Sequence, residues 1–304
     1  FSFMKKTYWQ EVHEQCAEKD NIRLKTNKYR CEQTIITKLN GVPACTIRTK
    51  SDYQFEWAEN LKRPAMNAYC KLLEQFVSVY PPSYQKPLEM IIDLEKLKFE
   101  SVFDIDMATG KMAGIVNHNE IVEKWQEYKK NMLDNYSFLR SADTKENVNA
   151  FIDSMEKVIV DEKLLMAEFY GKMIFLLLFD GYLVGKPNYA ATTDIEFPSQ
   201  LFQGVKFPMT VTPRIQKESV ESVIYELKSS VSDSVKLSER IKKEYDERFK
   251  PTIQYSFSSY DAQFNSHVLL NEKERYVQEA ECYIIEEVVN NLSLTIHCKI
   301  RKIV

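Results

Sequence analysis

Few side chains in this sequence could do chemistry. Among 304 residues there are four histidines and six cysteines. The carboxylates Asp104 and Asp106 stand two residues apart, with Gly110 and His118 following. Such a loop raises the question of calcium. An EF-hand loop needs oxygen ligands at positions 1, 3 and 5, glycine at 6 and glutamate at 12. Counted from Asp104, the fifth residue is Ala108, glycine falls at the seventh and the twelfth is Ile115, so the ligand set fails. The same residues read as a hairpin. Phe103, Ile105 and Met107 alternate with the two aspartates, which puts apolar side chains on one sheet face and carboxylates on the other. Asn117, three residues before Glu120, has the spacing of a capping box that opens a helix through Ile121, Trp125, Tyr128 and Met132.

His267 and His297 lie in stretches that read as strands. With Glu286 or Glu287 they could form a polar cluster that binds a metal or moves a proton, the core of a hydrolase of non-standard type. Metal sites need three or four convergent ligands. The plainer expectation is two outward-facing histidines on a half-buried sheet, and no metal site is expected. No G-x-S-x-G elbow occurs. The cysteines, at 16, 31, 45, 70, 282 and 298, form no C-x-x-C pair. Reduced, buried thiols are expected, because a chain of this length needs no staples. Cys282 and Cys298 can face each other across a hairpin, which leaves one disulfide open. Cys298 falls on an apolar face, where a thiol is usually inert.

Tyr255, Phe257, Tyr260 and Phe264 form the remaining candidate site. Aromatics on a curved antiparallel sheet, with a helix across its mouth, can enclose an apolar ligand. An ordinary sheet-on-helix core has the same pattern.

Seven glycines, against roughly 20 at ordinary usage, leave no G-x-G-x-x-G or G-x-x-x-x-G-K-[ST] loop to cradle phosphate. No cofactor is expected. With 41 basic and 44 acidic residues well mixed, no electrostatic footprint for nucleic acid appears. The helix around 236–250 carries Glu239, Glu244, Asp246 and Glu247 among its bases, which spoils any basic patch. The longest apolar run, Met173–Phe179, is too short to span a bilayer. The opening residues show no apolar stretch after Lys5 and Lys6, so a cytoplasmic location is expected.

The elements that must position these residues read as follows. A helix opens the chain over 4–20. A hairpin turns at Asn40-Gly41, where both residues can take positive φ. A helix is expected over 65–79 and a strand over 88–94. Further helices are expected over 144–158 and 161–179. A proline-rich connection begins at 186. Alternating strands then follow, interrupted by the amphipathic helix at 236–250, with Ile253, Tyr255 and Phe257 read as one strand. The fold class is α+β: hairpins and helices first, a helical middle, then a C-terminal antiparallel meander with a helix packed on it. Two lobes are expected, 1–185 and 186–304, with one shared core left open.

The absence of nucleotide and nucleophile motifs speaks against an enzyme. The first reading is a non-catalytic binding or assembly protein that pairs with a protein partner or itself through strand edges and aromatic strands. A carrier of an apolar small molecule in the C-terminal sheet is the alternative, and the His/Glu hydrolase is the third.

Overall fold

Alternating stretches dominate the sequence, and strands dominate the fold. The computed structural model describes residues 5–135, 142–187, 192–231 and 235–304. Mixed helix and antiparallel sheet make up the fold. The strands are β1 (Ile22–Leu39), β2 (Val42–Asn60), β3 (Ala65–Tyr80), β4 (Ser101–Ile105), β5 (Met112–Ile115), β6 (Thr193–Pro198), β7 (Lys206–Lys217), β8 (Ser222–Val231), β9 (Tyr260–Asn271), β10 (Tyr276–Val288) and β11 (Leu292–Ile303). The helices are α1 (Tyr8–Glu18), α2 (Gln85–Lys98), α3 (His118–Asn135), α4 (Ala142–Val160), α5 (Glu162–Tyr170), α6 (Met173–Leu178), α7 (Val235–Arg248) and α8 (Lys250–Ile253).

All eleven strands join one sheet, in the order β5-β4-β3-β2-β1-β11-β10-β9-β8-β7-β6. Two meanders run outward from the middle. They meet where β1 pairs antiparallel with β11, from Lys28 opposite Ile303 to Leu39 opposite Leu292. Strands on both sides of residue 186 therefore share hydrogen bonds. The segment α3–α6 connects one outermost strand, β5, to the other, β6. A flat sheet would hold these about 48 Å apart, at ~4.8 Å per strand. Yet Thr109 and Lys111, in the β4–β5 turn, line the same cavity as Ile195 of β6 and Val211 of β7. The sheet therefore curls, and α5 and α6 fill its concave side.

Parity decides the faces. On β9, Ala262, Phe264, Ser266, Val268 and Leu270 are buried, while Gln263, Asn265 and His267 are exposed. The concave face meets an aromatic cluster in which Phe103 of β4 touches Phe169 and Phe175, with ring centroids 4.9 and 5.6 Å away. On the convex face, α1 covers Ala58, Tyr69 and Val102 with Trp9 and Val12. Elsewhere that face carries a charge ladder. Glu226, His267, Glu281, Lys299, Glu32 and Lys50 stand in register across β8, β9, β10, β11, β1 and β2, alternating in sign when His267 is protonated.

Several sequence expectations need correction. Residues 65–79 are β3, not a helix, and 88–94 lie in α2, not a strand. The first stretch fits both periods, through Ala65, Ala68 and Leu72 or through Met66, Ala68 and Cys70. Pairing of β3 from Ala65 to Tyr80 against residues 46–60 of β2 decides for the strand. In the second, burial of Met90, Leu94 and Lys98 every fourth residue decides for the helix. The expected helix over 161–179 is broken into α5 and α6 at Gly171–Lys172. Residues 254–257 form no strand: α8 ends at Gln254, whose φ is 68°. The proline-rich stretch yields β6 and β7, and residues 188–191 lie outside the described part. Pro208 precedes the β8 pairing, which starts at Met209, and Pro213 lies past the β6 pairing, which stops at Val211. Among the described residues, each proline thus sits where β7 is paired on one side only, an edge-like setting in which a missing N–H is tolerated. Asn117 does not cap α3 in the expected way. Its Oδ1 accepts from Val102 N at 2.8 Å, and its Nδ2 donates to Glu120 at 2.9 Å.

Phe103 has no exposed surface, so Phe103→Ala is expected to lower stability by about 3–5 kcal/mol in urea denaturation. A loss under about 1 kcal/mol would mean that the aromatic cluster does not anchor the helices to the sheet.

Candidate functional site

The concave side is not evenly filled, and the reason lies in how the helices end. Asp161 caps α5 by accepting from Lys163 N and Leu164 N, at 2.9 and 3.3 Å. Gly171 and Lys172 then break the helix, and α6 runs only to Leu178. Asp180 turns the chain into a 3-10 turn, Gly181–Val184, accepting from Gly181 N at 2.8 Å. The β4–β5 turn presses against this point. Gly110 has φ 74°, and a Cβ there would overlap the Asp180 carbonyl oxygen, so no other residue fits.

Beside the short α6, side chains leave a cavity of about 390 Å³. Its floor is the concave face of β8 and β9: Tyr225, Leu227, Phe264, Ser266, Val268 and Leu270. Leu176, Leu177 and Tyr182 form the opposite wall, and Thr109, Lys111, Asp180 and Lys186 stand at the opening. The interior is mainly aliphatic and aromatic, with one exception. The Ser266 hydroxyl is buried and has no hydrogen-bond partner among the described residues. At the opening, Lys111 Nζ lies 3.6 Å from Asp180 Oδ1. Lys186 Nζ lies 3.4 Å from the Met107 carbonyl oxygen.

Leu176 also lines a second, larger space on the other side of α6, a groove of about 1240 Å³ over β1 and β2. Gln33, Thr49 and Ser51 stand on the floor of this groove. Its rim holds a buried ion network. Lys98, only 1% exposed at its side chain, lies 2.9 Å from Glu95 and also pairs with Glu168, while Lys172 pairs with Glu95. Burial alone would push the Glu95 carboxyl up, but Lys172 and Lys98 outweigh it and hold it at about 2. Lys98 is pushed up because its two carboxylates outweigh the cost of its burial.

A third polar group closes the far end of the concave face. Glu286 is fully buried. Its carboxylate accepts from Ser199 Oγ at 2.6 Å, Gln200 N at 2.5 Å and Tyr260 OH at 3.1 Å. Burial pushes this carboxyl up, and the hydrogen bonds from Ser199, Gln200 and Tyr260 only partly oppose the shift.

The four aromatics singled out in the sequence separate. Phe264 lines the cavity. Tyr260 packs on Phe202 and Phe207. Phe257 packs on Tyr245, and Tyr255 is exposed. Tyr255 and Phe257 precede β9, so strand parity does not turn them inward. The alternative His/Glu cluster does not form, and both histidines stand on the outer face of the sheet, as in the plainer expectation. His267 and His297 lie on the convex face and Glu286 on the concave one, while Glu287 stands opposite Asp261 and Ser293. The histidines meet Glu226 at 3.2 Å and Glu281 at 2.6 Å instead. Cys282 and Cys298 are register partners and both are free. The Cys298 thiol is pushed well up by its hydrogen bonds to Cys282 and Cys31 and by burial, which suits an inert core thiol. Among the described residues, no group of three or more ligands could hold a metal. No described helix is long and apolar enough to cross a membrane.

Sequence reasoning missed Ser266, Leu176 and the two lysines as site residues. A signal for Ser266 was present: it is the polar member of an otherwise apolar alternation on β9.

No family model matches the chain, and no curated protein matches it. Among solved structures, it is similar to one titled "Lipid-protein interactions in lipovitellin", at 10% identity and a TM-score of 0.40, over 92% of this chain and 25% of that one. The chain thus spans a quarter of that chain's length.

The raised Glu286 carboxyl makes stability pH-dependent. A carboxyl whose folded value lies above its unfolded value stabilises fully below the unfolded value, near 4.5, and loses that contribution as pH rises through the folded value. Glu286→Gln is therefore expected to flatten the decline in urea midpoint as pH rises from about 4.5 towards neutrality. Parallel profiles for the two proteins would show that Glu286 is not shifted upward.

Proposed function

We propose that this chain binds an apolar small molecule in the cavity between α6 and strands β8 and β9. One observation carries the reading: a cavity of about 390 Å³ lined by mainly apolar side chains. Protein interiors are ordinarily filled, with few voids larger than a water molecule. Ligand pockets run to about 300–1,000 Å³, apolar with a few polar groups that fix orientation. Ser266 supplies one such group inside, and Lys111, Asp180 and Lys186 supply others at the opening. The groove across α6 is larger and is lined by Glu95, Glu168 and Lys172 of the ion network, which suits it less to an apolar ligand.

The test is a titration with the fluorescent apolar probe N-phenyl-1-naphthylamine. Saturable binding at micromolar probe is expected, and Leu227→Trp, which fills the cavity from β8, is expected to weaken it at least about tenfold (~1.4 kcal/mol). Binding unchanged in a variant with an unaltered urea midpoint would remove the cavity as the site.

A second reading, association through a strand edge, is favoured by a different observation. β3 pairs with β4 only from Asn67 to Cys70. Its remaining length, 71–80, has no strand partner on that side among the described residues, and it exposes Leu73, Phe76 and Tyr80. An open apolar edge is a template for another strand. Sedimentation velocity is expected to show a concentration-dependent dimer that Phe76→Glu abolishes. A single monomeric species up to about 100 μM, weaker than any association of roughly 5.5 kcal/mol, would end this reading.

A further inference from the structure

The cavity has a polar end as well as an apolar one, and the two ends define a ligand. The deep part is lined by Leu227, Phe264, Val268 and Leu270. The opening is lined by Lys111 and Lys186 from two segments far apart in sequence, and Asp180 is the one carboxylate among the lining residues. Asp180 is already engaged. Its Oδ1 accepts from Gly181 N and balances Lys111 at 3.6 Å, a loose pair whose two side chains are both more than 40% exposed. Lys186 Nζ has a carbonyl oxygen at 3.4 Å and no carboxylate within 4.0 Å among the described residues. The opening therefore carries one more ammonium than carboxylate, next to a desolvated apolar interior.

From this we infer that the ligand is a single-chain amphiphile with an anionic headgroup, its chain in the cavity and its headgroup between Lys111 and Lys186. The inference rests on the apolar-binding reading above. The size agrees: at about 30 Å³ for each water-sized group, 390 Å³ takes a chain of roughly a dozen carbons. The headgroup stays at the surface, where both lysines can meet it without being desolvated, so the cost of burying charge does not arise. Carboxylate and phosphate headgroups share this chemistry, and planar or tetrahedral oxygens suit a pair of point-like ammonium groups equally.

Calorimetric titration of the whole chain with dodecanoate, dodecyl phosphate, dodecan-1-ol and dodecyltrimethylammonium, near pH 8 and below the critical micelle concentrations, tests the inference. One or both anions are expected to bind about tenfold more tightly than the alcohol, and which anion leads identifies the headgroup. That advantage is expected to shrink in about 0.5 M salt, where the screening length falls below ~5 Å. It is expected to fall below about twofold in the Lys111→Gln/Lys186→Gln double variant, while binding of the alcohol is kept. Equal affinity for anions and alcohol, or a preference for the cation, would overturn the charge assignment and leave the apolar cavity standing. If no chain bound, the cavity reading would fall and this one with it. A variant in which Lys186 alone is replaced guards against the double variant's misfolding: it leaves the Lys111–Asp180 pair in place and is expected to lose most of the advantage.

Discussion

The pairing of β1 with β11 is the constraint on which the rest of the molecule depends. Each meander pairs strands that are consecutive in sequence, and each is joined to the other by that one ladder, residues 28–39 against 292–303. Once the two are joined, the outermost strands are β5 and β6, which are consecutive in sequence but lie at opposite ends of the sheet. The segment between them has to cross the sheet, and the face it crosses is the apolar one. The helices on the concave side are thus a topological consequence as much as a packing choice.

Crossing a curved surface with short straight helices leaves gaps. α5 and α6 break at Gly171 and Lys172 to follow the curve, and α6 ends after six residues. Where they touch the sheet, they do so through rings: Phe169, Phe175 and Phe179 against Phe103 and Phe55. Where they lift away, a cavity opens on one side of α6 and a larger groove on the other. Buried charge marks the places where loops are held down. The Glu95–Lys98–Glu168–Lys172 network ties α2 to α5 and α6, and Glu286 holds the β6–β7 connection. Both are costly groups with well-placed partners, the condition under which buried polar groups are tolerated.

Much of the β structure was legible because strand parity is a simple signal. The hairpin at Asn40-Gly41, where φ is 50° and 77°, and the final meander through β9, β10 and β11 follow from alternation and turn chemistry alone. Residues 65–79 and 88–94 were exchanged between helix and strand. There the local pattern satisfies both periods, and only the surroundings decide: pairing with residues 46–60 of β2 for one, the burial of Met90, Leu94 and Lys98 for the other. The site was less legible still. Phe264 was singled out as aromatic, but Ser266 was passed over as an ordinary member of a strand, although a hydroxyl among Phe264, Val268 and Leu270 is the odd residue there. Lys111 and Lys186 could not be connected from sequence, because curvature brings them together and no local pattern encodes it. The alternative His/Glu cluster fails for plain reasons: Glu286 has the opposite parity from the histidines, and Glu287, on their face, lies opposite Asp261 and Ser293, several residues along the strands from them.

The central ladder also orders events in time. During synthesis, β1 through β5 leave the ribosome as a complete meander well before residues 292–303 exist. Throughout that interval β1 offers one unpaired edge with Tyr29 and Cys31 facing inward, a surface open to wrong partners. The contacts that close it span nearly the whole chain, so they carry a high loop-closure entropy and form late. This fold can therefore be expected to mature slowly and to rely on protection of its first half until its final strand arrives.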